Sequence, residues 1–74
     1  MTKMEYVIDK LELAHAYRMS WQTSKMDETI DDILAMVPAP YTPNDVTEIM
    51  FAHMDFMDRL DTGTVAEILM QIPA

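Results

Sequence analysis

Residues 29 to 39, TIDDILAMVPA, return as TVAEILMQIPA at residues 64 to 74, with identity at Thr, Ile, Leu, Pro and Ala and conservative exchange at three further positions. This internal repeat is the strongest constraint the chain offers, because a repeated unit with one uncovered apolar face must bury that face against a neighbour. The match extends upstream: Ala14-His15 and Met19 align with Ala52-His53 and Met57, Ile8 with Val46 and Leu11 with Ile49, so the first unit carries three extra residues in its turn. The pattern predicts an all-α, small four-helix bundle built from two repeated helical hairpins with approximate two-fold symmetry.

Local signals divide each copy into two helices. A first helix starts at Thr2, with Glu5 completing a capping box, and lines up Met4, Val7, Ile8, Leu11, Ala14 and Met19 before ending near residues 20 to 23. A second starts at Ser24, gathers Asp27 and Glu28 in its positive first turn, and turns Met26, Ile30, Ile33, Leu34 and Val37 inward until Pro38 stops it. The linker, residues 38 to 43, delivers Thr42 as N-cap and Pro43 to the first helical position, where a missing N–H costs nothing. A third helix is expected to reach about Leu60, with Val46, Ile49, Met50, His53, Met57 and Leu60 inside and Gly63 beyond it as a left-handed cap. The fourth is short, opened by Thr64 and Glu67, closed by Pro73, and packed through Val65, Ile68, Leu69 and Ile72. The 74 residues thus read as a single helical domain, with hairpins over about 2–38 and 42–73.

A chain of this length buries only about 60% of its unfolded surface, which makes dimerisation or partner binding an expectation. The absence of cysteine excludes a disulfide scaffold. No apolar run approaches the roughly 20 residues of a membrane span. The start, Met-Thr-Lys-Met-Glu-Tyr, lacks the apolar core of a signal peptide, so the expected location is cytoplasmic. The net charge of −8 repels phosphate backbones and argues against direct binding to nucleic acid or anionic membrane. Its distribution is uneven: residues 27 to 74 carry Arg59 alone against ten acids, a field suited to a basic partner.

Catalytic chemistry is poorly supplied. The only serines are Ser20 and Ser24, and a single glycine cannot build a phosphate-cradling loop or oxyanion hole, so no enzyme activity and no cofactor are expected. Glu12-Leu13-Ala14-His15 has the Glu-x-x-His spacing of di-iron bundles, but the repeat equivalent of Glu12 is Met50, so the second ligand pair is missing and no metal is expected. His15 and His53 occupy equivalent inward positions and read as neutral histidines at the edge of a small core. Length, acidity and four helices are similar to acyl carrier proteins, yet neither Ser20-Trp21 nor Ser24-Lys25 lies in the Asp-Ser-Leu context of that family.

Surface chemistry is better supplied. Tyr6, Leu13, Tyr17 and Trp21 line the first helix opposite its core stripe, with Lys10 and Arg18 nearby, and Phe51 and Met54 lie off the third helix's stripe among Asp55 and Asp58. One helix cannot hide both faces in a two-layer bundle, so either the bundle wraps the first helix or its second stripe is an interface. Tyr, Trp and Arg are enriched at binding hot spots. The acidic run Asp27, Glu28, Asp31 and Asp32 reads first as a solvated helix face, with mimicry of a nucleic-acid backbone as the sharper alternative.

These features point to a non-catalytic, acidic protein-binding module that modulates or inhibits a partner with a basic or apolar groove. Small acidic, cysteine-free chains of this kind are common among phage and mobile-element regulators. A self-associating assembly subunit, such as a homodimer, is the alternative from a different class.

Overall fold

Thr2 stands in extended backbone, and its hydroxyl oxygen accepts the Glu5 amide at 3.0 Å, satisfying one of the free N–H groups that open a helix. It starts α1 (Lys3–Met19) in a computed structural model whose described residues are 1–71. The hydroxyl also donates to the Glu5 carboxylate at 3.2 Å, so Glu5 supports the cap through its partner's side chain. The remaining helices are α2 (Thr23–Leu34), α3 (Pro43–Ala52) and α4 (Thr62–Met70). Each packs against its chain neighbours, and α4 closes the ring on α1; the α1–α2 contact is the most extensive. The described residues therefore form an all-helical bundle, and no helix among them is long and apolar enough to cross a membrane.

One core runs through all four helices. Val7, Leu11 and Ala14 come from α1, Ile30 and Ile33 from α2, Val46 and Met50 from α3, and Val65, Ala66 and Leu69 from α4. Ile8, Leu34, Val37, Ile49 and Leu60 pack around it, partly buried. Ile68 is also partly buried, and Ile72 and Pro73 lie outside the described residues. Met19 and Met57, expected on core stripes, are instead exposed at 49% and 63%. Met36 and Met70 pack against the core.

The boundaries correct several expectations. Helix α2 starts at Thr23 with Gln22 as its cap, not at Ser24, and Asp27 and Glu28 fall beyond its first turn. It ends at Leu34, before Pro38 is reached, and Ala35 to Val37 continue as turns bonded to Asp31, Ile33 and Leu34. Helix α3 begins as expected, with a reciprocal capping box: Thr42 accepts the Asp45 amide at 3.2 Å and Asp45 accepts the Thr42 amide at 2.9 Å. It stops at Ala52, eight residues short of Leu60. Gly63 is not a left-handed cap; it sits inside the first turn of α4 without a positive φ. Asp61, not Thr64, caps α4 by accepting the Thr64 amide at 3.2 Å, while the Thr64 hydroxyl donates to the same carboxylate at 2.8 Å.

The repeated segments occupy different phases of their helices. Thr29 is the seventh residue of α2, buried, and satisfied by donating to the Lys25 carbonyl at 2.8 Å; Thr64 is the third residue of α4 and belongs to its cap. Helix α2 buries Thr29, Ile30 and Ile33, whereas α4 buries Val65, Ala66 and Leu69. In repeat register these stripes differ by one residue, about 100° of helix rotation. Asp31 stands where α4 has Ala66, and a carboxylate with no partner is too costly to turn into the core. Leu34 is consequently half-buried while its repeat equivalent Leu69 is fully buried. Truncating Leu69 to alanine should destabilise the fold by about 2–5 kcal/mol and Leu34 by distinctly less. Urea unfolding of both variants checks this ordering, and equal losses would contradict it.

Candidate functional site

The C-terminus of α1 sets the geometry of the most unusual surface. Ser20 ends the helix, Trp21 follows at φ 62°, and the chain reverses through Trp21 N–H to the Arg18 carbonyl at 3.1 Å and Gln22 N–H to the Tyr17 carbonyl at 2.8 Å. This pairing is the usual way a helix satisfies its last carbonyls, and its left-handed residue is normally glycine, because a Cβ there costs roughly 1–2 kcal/mol. Here the position carries an indole that is 90% exposed.

Across from it, α3 presents Phe51, 47% exposed, with the Arg18 guanidinium 4.1 Å from the ring centroid. Arg18, Met19, Trp21, Thr23, Met26, Thr47, Phe51 and Asp58 line one open cleft of about 560 Å³. The adjoining space among Met26, Met50, Phe51 and Met54 holds no water-sized void. The structure thus brings Trp21, Phe51 and Asp58 of the sequence-derived set to one place, with Met54 in the adjoining space beside Phe51. Tyr6 lies elsewhere, packed partly against the core, and Tyr17 is also half-buried. Leu13 is 40% exposed and does not line the cleft. The second stripe of α1 is therefore neither wholly wrapped nor wholly free.

Residues 53 to 61, expected as helix as far as about Leu60, form a knitted loop that borders the cleft through Asp58. Asp55 organises it. Its carboxylate accepts the backbone amides of Met57 at 2.8 Å and Arg59 at 3.0 Å and the Arg59 Nε–H at 3.0 Å. Its own N–H donates to the Arg59 carbonyl, and Met54 and Leu60 face each other in an isolated antiparallel bridge. An aspartate that captures amides two and four residues on competes with helix, which is the physical reason α3 stops short. Asp55 therefore acts within the loop. Asp58, at φ 58°, is the second left-handed residue, and the turn leaves Phe56 93% exposed. Sequence reasoning placed Phe56 within a helix and missed it; the recurring aspartates at 55, 58 and 61 around it were the available signal of a loop.

His15 ties α1 to this loop. Its Nε2 lies 2.8 Å from the Asp58 carbonyl oxygen, which can only accept, so Nε2 carries the proton. Nδ1 is buried without a hydrogen-bond partner among the described residues. His53 caps α3 and its carbonyl accepts the Asp61 amide at 3.0 Å. Among the described residues no cluster of three or more His, Asp or Glu side chains could hold a metal.

The acidic face is exposed at Asp27, Glu28, Asp31 and Asp32, but Asp32 accepts from the Lys10 ammonium at 3.2 Å, which raises the Lys10 pKa above its ordinary value. Comparison with protein families, curated proteins and solved structures finds no match to this chain.

Two carboxyls are held below their ordinary range: Asp55 chiefly by the Arg59 backbone amide, and Asp61 chiefly by the Thr64 hydroxyl. Both bind protons more readily in the unfolded chain. The stability they supply is present above the ordinary carboxylate value near pH 4 and is lost as pH falls through their lower folded values. Thermal melts between about pH 5 and pH 2.5 should show Tm falling more steeply for the wild type than for an Asp55→Asn, Asp61→Asn variant. Parallel curves would contradict this assignment.

Proposed function

We propose that this chain is a non-catalytic module that binds and modulates another protein, with Trp21 as the anchor of its contact surface. The observation that carries the reading is the left-handed Trp21. A backbone conformation that disfavours every side chain here displays the largest one, almost entirely in water, at the mouth of an aromatic cleft. Folding gains nothing evident from that arrangement, whereas a rigidly presented indole suits an interface, where few aromatic anchors carry most of the binding energy. Phe51 and Met19 extend the apolar surface, and Asp58 supplies a charge at its edge.

Mimicry of a nucleic-acid backbone is less well supported, because Asp32 is neutralised by Lys10 within the fold. The two-hairpin reading belongs to the same proposal. Repeat equivalents Met19 and Met57 are both exposed, so a pseudo-two-fold would set an adaptable apolar side chain at corresponding points of the two hairpins.

The anchor role separates cleanly from stability. Trp21→Gly should raise the stability of the isolated protein by about 1 kcal/mol, since glycine takes the left-handed conformation freely. The same change should sharply reduce recovery of a partner by affinity capture from the native host. A variant that is more stable and still recovers the same partner would remove Trp21 from the interface.

A further inference from the structure

We propose that the occupant of the Trp21–Phe51 cleft is a cationic amphipathic segment of another protein, an apolar anchor flanked by lysine or arginine; this rests on the reading of the cleft as a binding site. The aromatic rings show the pattern. Arg18 lies over Phe51 at 4.1 Å, Lys10 over Tyr6 at 5.5 Å and Lys25 over Tyr17 at 5.7 Å, so three rings each carry a cation from this chain. Trp21 offers the best ring face for a cation, and none from the described residues covers it. The cation it can take must come from outside.

Charge points the same way. Four of the five basic side chains are engaged internally, Lys10 with Asp32 and Arg59 with Asp55 in ion pairs, and Arg18 and Lys25 on rings. Of thirteen acidic side chains, those two alone meet a cation in an ion pair among the described residues. Two charged residues line the cleft: Arg18, whose guanidinium is already set over Phe51, and Asp58, which meets no cation in an ion pair among the described residues. A lysine- or arginine-bearing segment would meet the open indole face and this carboxylate, on a chain whose net charge is −8. A second copy brings another −8 charge instead, so a homodimer through this face works against repulsion.

The test uses the full chain and three labelled synthetic amphipathic helices of one Leu pattern, with Lys, Gln or Glu on the polar face, read by anisotropy and by emission of the sole tryptophan. The Lys peptide should bind and shift the emission to the blue, weakening at least about tenfold between about 50 and 500 mM salt. The Glu peptide should not bind, and Trp21→Gly or Phe51→Ser should each weaken the Lys peptide at least about tenfold, with circular dichroism confirming the fold. Equal binding of the Gln peptide overturns the cationic class and leaves the anchor reading standing. Lys-peptide binding undiminished in both variants places the contact on the general acidic surface and overturns the cleft. Failure of all three peptides, or sedimentation showing a dimer that buries Trp21, overturns the proposed occupant.

Discussion

Val7, Leu11 and Ala14 stack along one stripe of α1 with no surface left in water, and the other elements are placed with respect to that stripe. Helices α2 and α4 both lie against α1, and α3 is held between them without contacting α1 through its backbone neighbourhood. Burying one aliphatic side chain contributes about 1.5–3 kcal/mol, against a net stability of about 5–15 kcal/mol for a typical domain. In a core this small each member is a large share of the whole. The charged groups cannot share in that core: Asp31 stays exposed on α2, which buries Thr29, Ile30 and Ile33 instead.

What the core makes affordable is local conformational cost at two exposed points. Trp21 and Asp58 both stand at positive φ, and both border the same cleft. Neither is held by glycine, although the chain has one, and that one sits in an ordinary helical turn where no special freedom is needed. Trp21 is fixed by the last carbonyls of α1, Asp58 by the hydrogen bond its N–H donates to the Asp55 carbonyl and by His15 on its own carbonyl oxygen. Because α1 supplies both the helix end and His15, one helix anchors both left-handed residues of the cleft.

The polar network divides by role. Asp45, Asp55 and Asp61 satisfy backbone amides that helix starts and turns leave open, and the last two are held below the ordinary carboxylate range, Asp55 chiefly by the Arg59 amide and Asp61 chiefly by the Thr64 hydroxyl. Asp27, Glu28 and Asp31 have no such duty and remain an open field on α2. Cations show the opposite economy: four of the five Lys and Arg side chains lie on a ring or against a carboxylate of the same chain. The result is a surface on which two of thirteen carboxylates meet a cation in an ion pair among the described residues, so the net charge of −8 is carried mostly by open carboxylates.

Helical class, the Thr2 and Thr42 starts and most of the core were legible in the linear chain, because 3.6-residue spacing and capping chemistry act over three or four residues. Trp21, Phe51, Asp55 and Asp58 stood out as off-stripe residues for the same reason. Where helices end was less legible. Asp55 could equally have faced solvent on a helix, and only its capture of the Met57 and Arg59 amides turned residues 53 to 61 into a loop and exposed Phe56. Local spacing by itself determined the helical class, the starts at Thr2 and Thr42 and the apolar stripes that supply most of the core. The tertiary structure decided which apolar residues stay outside and which meet, since burial depends on the packing of distant helices and no local interaction can report that Arg18 reaches Phe51 or that His15 reaches Asp58.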